Sequence, residues 1–223
     1  SQAVGIVHLG IGAFPRAHQA VYTQDAFALT GVDRWAISGV TQRSSEVKTQ
    51  LGPQDCLYGV MEGADRRPKL TIVGSVREVL YAAEDGFAFG ERLSSDDVQV
   101  VTMTITEKAY LRDAAGALDF SHPLVAVDLQ SVAPPVTAIG RLVAGLRQRA
   151  DRSGAALTVV CCDNLMGNGR VVEQLVGEFC RATGADDLAD WIGTHVTFPS
   201  TMVDRIVPAT TAADRDRARS ILG

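Results

Sequence analysis

Val4-Gly5-Ile6-Val7-His8-Leu9, followed directly by Gly10-Ile11-Gly12-Ala13-Phe14-Pro15-Arg16-Ala17-His18-Gln19, is a short apolar run that ends in Gly-x-Gly and passes at once into a helical pattern. In an α/β sheet this is where the pyrophosphate of a dinucleotide would sit. Gly10 allows the tight turn, and Gly12 has no side chain to keep the backbone away from the phosphates. A helix starting here directs free N–H groups and the positive end of its dipole at the anion. The third glycine of the usual fingerprint is absent. Pro15 stands in its place, and proline is tolerated in the first turn of a helix. An ordinary strand-to-helix turn can carry the same two glycines, so the rest of the chain has to decide.

Working outward, residues 16–29 read as the first helix, with Gly31 as its stop. Residues 35–40 read as the second strand, and Ser44 or Ser45 could cap a short helix reaching Leu51. Residues 57–61 and 70–76 look like two strands across a polar stretch, an antiparallel hairpin inserted into the α/β pattern. A helix is expected over 85–93. Residues 98–105 form a β-branched run of the kind buried on both faces of a parallel sheet. Residues 134–152 make an amphipathic helix with Val136, Ile139, Leu142, Val143 and Leu146 on one stripe. A buried strand at 156–162, helices at 171–183 and 188–194, and a last strand at 195–198 complete the pattern. Strands alternating with helices predict an α/β fold, a Rossmann-like, doubly wound, mostly parallel sheet. In such sheets ligands bind at the carboxyl ends of the strands. Three polar clusters fall there: 10–19, 106–110 and 163–169.

Composition narrows the function. The 223 residues carry a net charge of −5, which argues against nucleic acid or an anionic membrane as partner. No apolar stretch reaches spanning length, and no basic-then-apolar segment opens the chain. Cys56, Cys161, Cys162 and Cys180 show no metal-binding spacing. They read as reduced thiols of a cytoplasmic protein.

Several residues admit both a chemical and a plain reading. Asn164 ends a buried strand, where it could cap the next helix or aim its amide N–H at a substrate oxygen. Arg16 at a helix start opposes the dipole unless an anion lies nearby, which supports phosphate binding. His18 suits a packed core or a site equally. Glu107 and Lys108 could be a surface pair. The second strand ends without the acidic residue that commonly takes a ribose 2′-OH. Arg43 could accept a 2′-phosphate there instead, or simply lie on the surface. None of the four tyrosines is followed by lysine four residues later, so short-chain dehydrogenase chemistry is absent. Zinc alcohol dehydrogenase ligands are absent too, and no metal site is expected.

These stretches together resemble the mannitol dehydrogenase family of long-chain polyol dehydrogenases, which includes mannitol 2-dehydrogenase and fructuronate reductase. Residues 6–20 resemble its opening motif. Thr104-Ile105-Thr106-Glu107-Lys108-Ala109-Tyr110 resembles the second, Cys162-Asp163-Asn164-Leu165-Met166-Gly167-Asn168-Gly169 the third, and residues 198–208 the fourth. Pro15 departs from the family's usual His, and Ala109 from a common Gly. The resemblance implies a Rossmann domain followed by a mainly helical domain, with substrate between them. It implies metal-independent hydride transfer between NAD, or NADP, and an open-chain polyol or aldonate. On this basis residues 1–205 are expected to be the dinucleotide-binding domain. Residues 206–223 would begin the linker to a C-terminal helical domain that supplies the lysine base. No lysine follows Lys108, so this stretch alone is expected to bind cofactor without turnover. The candidate cofactor residues are Gly10, Gly12, Phe14, Arg16, Arg43 and Thr106, to which the resemblance adds Glu107, Val203 and Asp204, with Lys108 nearby. Asn164 is the candidate catalytic residue, stabilising the alkoxide that develops on the substrate. A rival reading is a non-catalytic nucleotide-sensing or interaction module on the same scaffold.

Overall fold

In a computed structural model, which describes residues 3–63, 68–130, 134–203 and 206–223, the opening run is β1 (Val4–Leu9). Five of its residues are buried, as expected of a strand covered on both faces. It lies at the centre of a six-stranded parallel sheet. The other members are β2 (Ala36–Thr41), β5 (Val76–Tyr81), β6 (Val100–Met103), β7 (Leu157–Cys161) and β8 (Val196–Thr197). The order is β5-β2-β1-β6-β7-β8, so successive strands run outward from β1 to one side and then, from β6, to the other. This is the doubly wound order, with its reversal between β1 and β6.

Helices cover both faces. One face buries Val7, Leu9, Val101 and Met103 against α4 (Gly86–Leu93), α6 (Ala138–Arg152) and α7 (Asn168–Ala182). The other buries Ile6 and Ile37 with Ile11, Ala20, Val21 and Leu51, from the opening turn, α2 (Gln19–Thr30) and α3 (Glu46–Leu51). The inserted hairpin is β3 (Tyr58–Glu62) with β4 (Lys69–Val73), antiparallel and outside the main sheet. The remaining helices are α5 (Pro123–Leu129), α8 (Asp186–His195) and α9 (Ala212–Leu222), and α9 buries no residue.

Several elements differ from expectation, among them α5 and α9, which the sequence reading did not include, and α7, which starts at Asn168 rather than 171. The first helix begins earlier and breaks at His18 into α1 (Ala13–Ala17) and α2. The strand expected over 70–76 ends at Val73, and Val76 starts β5, which the sequence reading missed because Arg77 and Glu78 interrupt its apolar pattern. The helix expected from Pro134 starts at Ala138. Asp128 accepts from the N–H groups of Val136 (2.7 Å) and Thr137 (2.8 Å), which fixes a non-helical lead-in, and Thr137 caps α6. β6 ends at Met103 rather than 105, for a reason found at the site itself.

Gly10 stands at φ +100°, and a β-carbon there would collide with the Thr104 carbonyl oxygen. At Gly12 an added β-carbon meets only the Gly10 carbonyl oxygen, at 3.8 Å. Gly10→Ala is therefore expected to cost about 2 kcal/mol or more, seen as a thermal midpoint lowered by roughly 4–8 °C. Gly12→Ala should leave the midpoint within about 2 °C.

Candidate functional site

The sheet's order reverses between β1 and β6, and the carboxyl ends of strands at such a reversal are where doubly wound sheets form a ligand crevice. Gly10 and Ile11 both donate their N–H to the Val40 carbonyl (2.8 and 3.1 Å), which folds the chain back over β2. Ile11 lies so close to Gly39 that a β-carbon on Gly39 would meet it at 2.7 Å. Pro15 is buried in the first turn of α1, where its missing N–H leaves no bond unmade. Gly12 is exposed at the mouth of the crevice, with open space where a side chain would stand.

Beneath the turn lies a buried polar relay. Thr104 donates its hydroxyl to the Gly10 carbonyl (2.8 Å) and is 2.8 Å from His8 Nε2. His8 Nδ1 is 2.6 Å from the Thr102 hydroxyl, which accepts from Gln19 Nε2 at 3.1 Å. Because Thr104 donates to Gly10, His8 Nε2 carries a proton and donates to Thr104, and a neutral His8 then accepts from Thr102 at Nδ1. Burial lowers the His8 pKa from 6.5 to about 4, against smaller upward effects from Gly10 and Gln19. His8 is therefore a structural histidine that holds the turn.

Arg16 falls in the last turn of the short α1, not at a helix start, so the expected dipole conflict does not arise. Its Nε donates to the Gly12 carbonyl (2.9 Å), and its guanidinium carbon lies 6.0 Å from the centre of the Tyr58 ring. Tyr58 donates its hydroxyl to the Arg16 carbonyl at 2.7 Å. The inserted hairpin thus braces the opening turn. Phe14 stacks on His18 (5.0 Å), which meets the Tyr22 ring edge at 4.7 Å. At the end of β2, Arg43 is exposed and has no carboxylate partner among the described residues. Gln42 beside it accepts from the buried Arg141 Nη1 at 2.9 Å, which fixes its carboxamide.

The opposite wall is built by Asp163, which follows β7. Its carboxylate accepts from the N–H groups of Ile105 and Thr106, each at 3.0 Å, and from the Tyr110 hydroxyl at 2.7 Å. Burial, reinforced by Asp163, pushes the Tyr110 phenol well above its ordinary range. Thr106 is exposed at φ +73° and ψ 149°. Glu107 is exposed and pairs with Arg112 at 3.5 Å, and Lys108 is also exposed. Asn164 is exposed at the rim and does not cap α7, whose N-cap is Gly167. The buried asparagine is Asn168. It donates to the Asp163 carbonyl (3.0 Å) and the Thr201 hydroxyl (3.1 Å), and accepts from the Thr201 N–H (2.9 Å). This clips the fourth motif onto the end of β7 and places Val203 two residues beyond the clip. Asp204 lies outside the described residues.

Of the expected site residues, Gly10 and Gly12 follow β1, Thr106 follows β6 and Asn164 follows β7, while the sequence reading did not single out His8, Gln19, Asp163 or Asn168. A histidine inside an apolar strand and a carboxylate at the mouth of another were the available signals. The open crevice differs from a cavity of about 300 Å³ between α4 and α6, lined by Phe87, Phe89, Pro134 and Gln148 among others.

The sequence model of the mannitol dehydrogenase Rossmann domain matches residues 4–220. The chain belongs to the mannitol dehydrogenase family. It is 40% identical over 217 residues to mannitol 2-dehydrogenase of Cereibacter sphaeroides, covering 96% of this chain and 45% of that protein. It is 41% identical over 211 residues to D-mannonate oxidoreductase of Escherichia coli K12, covering 92% and 43%. It superposes with a TM-score of 0.91 at 35% identity on Pseudomonas fluorescens mannitol 2-dehydrogenase, solved as a ternary complex with NAD and D-mannitol, over 99% of this chain and 46% of that one. The chain thus spans less than half the length of these relatives. Among the described residues of this mannitol dehydrogenase family chain, no three His, Cys, Asp or Glu side chains converge as metal ligands. No described helix is long and apolar enough to cross a membrane.

The relay sets a pH dependence. Unfolded His8 takes up a proton near pH 6.5, whereas the folded site resists until about pH 4. This contribution to stability is complete above pH 6.5 and is lost as pH falls toward 4, for a total of about 3 kcal/mol. Denaturant unfolding across that window should show this slope in the wild type, and His8→Asn should remove it.

Proposed function

We propose that this chain is the dinucleotide-binding domain of an NAD(P)-dependent oxidoreductase. The reaction would interconvert a sugar alcohol or aldonate and its keto form, mannitol with fructose or mannonate with fructuronate. The observation that carries this reading is Gly12. It leaves open space at the sheet's reversal, in a chain that superposes on a relative solved with NAD and D-mannitol. Gly10 and Gly12 would take the pyrophosphate, with Phe14 and Arg16 behind them. Gln42 and Arg43 would face the adenosine ribose. Thr106 and Glu107 would line the opposite wall, with Val203 and Asp204 toward the nicotinamide. When bound, the nicotinamide supplies the hydride acceptor.

Asn164 would polarise the substrate oxygen from the rim. Its carboxamide N–H makes the developing alkoxide cheaper to form. The general base would come from elsewhere, since the chain's three lysines, Lys48, Lys69 and Lys108, include none in the later motifs. We assign residues 1–205 to the dinucleotide-binding domain and 206–223 to the start of a linker to the protein's own C-terminal helical domain. Two features support this. α9 buries no side chain, and Met166 (100%), Met202 (97%) and Ile206 (86%) stand exposed, apolar surface that a further domain could cover. The four free thiols suit a reducing compartment, the cytoplasm.

Titration by nicotinamide fluorescence tests the reading. NADH or NADPH should bind saturably, and Gly12→Asp should abolish binding; equal binding by that variant would refute the site. Arg43→Ala should weaken NADPH by about tenfold and leave NADH unchanged, since only the former carries a 2′-phosphate. In protein that includes the substrate-binding region, Asn164→Ala should lower kcat by on the order of a hundredfold at unchanged cofactor Kd.

A further inference from the structure

We propose that Asp163 is a positioning residue for the dinucleotide: its carboxylate turns the chain after β6 away from β1 and so holds the crevice open. The inference rests on the dinucleotide reading above. In a parallel strand, successive N–H groups point alternately to the two neighbouring strands. Thr104 follows this rule and donates to the Leu9 carbonyl on β1 at 2.9 Å. Ile105 points the other way and reaches Asp163. A continued strand would return the Thr106 N–H toward β1 and the Ile11-Gly12 segment. Instead it also goes to Asp163.

Two consecutive N–H groups on one carboxylate cannot belong to an extended strand. The reversal falls on Thr106, whose φ of +73° with ψ of 149° borders a region almost confined to glycine. Such a conformation persists only where its surroundings over-determine it. They do so here. The carboxylate also accepts from the Tyr110 hydroxyl, and the Asp163 carbonyl accepts from the Leu165 N–H (2.8 Å) and from Asn168 (3.0 Å). Asn168 is tied in turn to Thr201. The Thr106 carbonyl is engaged as well, by the Ala109 N–H at 3.0 Å, which starts the turn over Glu107–Tyr110. Without the carboxylate, the Thr106 N–H is free to pair toward β1. The two strands then zip one step further, across the space above Gly12 where the pyrophosphate would lie.

The strain gives the test its specificity. Glycine adopts the Thr106 conformation at little cost, so it should make the open path accessible without the clamp. NADH and NADPH titrations would compare wild type, Asp163→Ala, Asp163→Asn, Thr106→Gly and the double variants. The Asp163 variants should bind about tenfold or more weakly while keeping their circular dichroism spectrum, and adding Thr106→Gly should restore affinity to within about threefold of wild type. Hydrogen exchange at the Ile105 and Thr106 amides should accelerate in the single Asp163 variants. If Asp163→Ala does not fold, Asp163→Asn with and without Thr106→Gly decides. Wild-type affinity in the Asp163 variants would overturn the proposal, as would weakened binding that glycine fails to restore. A wild-type chain that binds neither cofactor would sink the dinucleotide reading and this assignment with it.

Discussion

Where Gly10 passes the Thr104 carbonyl there is no room for a β-carbon, and the backbone takes a φ of +100° to get by. That approach joins β1 to β6 at the one place where the sheet's order reverses. Everything above it depends on how the two chains leave each other. β1 turns back over β2 through the paired N–H groups of Gly10 and Ile11 on Val40. β6 is drawn the other way by Asp163. A crevice between diverging chain ends is the location that doubly wound sheets offer to ligands.

Buried polar groups maintain this geometry from below. The relay from Gln19 through Thr102, His8 and Thr104 to the Gly10 carbonyl satisfies a histidine that would otherwise be costly in an apolar strand. It also links α2 to the turn that α1 leaves behind. The hairpin adds a second support, since Tyr58 holds the Arg16 carbonyl from outside the main sheet. An insertion that first reads as decoration on an α/β pattern therefore touches the site directly.

Local patterns carried most of the architecture. β1, β2, β7 and the hairpin are continuous apolar or alternating runs, and the doubly wound class follows from their alternation with helices. The four motifs carried the family and the broad position of Gly10, Gly12, Thr106 and Asn164. What escaped depends on contacts distant in sequence. Nothing in the residues from Ala13 to Thr30 marks the break at His18 that parts the first helix in two. β5 is an edge strand whose Arg77 and Glu78 hide its role. Asp163 acts on residues 57 and 58 positions away, and nothing near Thr106 in the sequence announces a left-handed backbone. Arg16 was read against a helix dipole that its place in a five-residue helix removes.

Backbone amide chemical shifts of the isotope-labelled chain, followed by NMR during NADH addition, test most directly whether the crevice is the dinucleotide site. The largest changes should fall on Gly10, Gly12, Phe14, Arg43, Thr106 and Glu107, on both walls at once. Changes centred instead on Phe87, Gly90 and Gly145, around the cavity between α4 and α6, would contradict it.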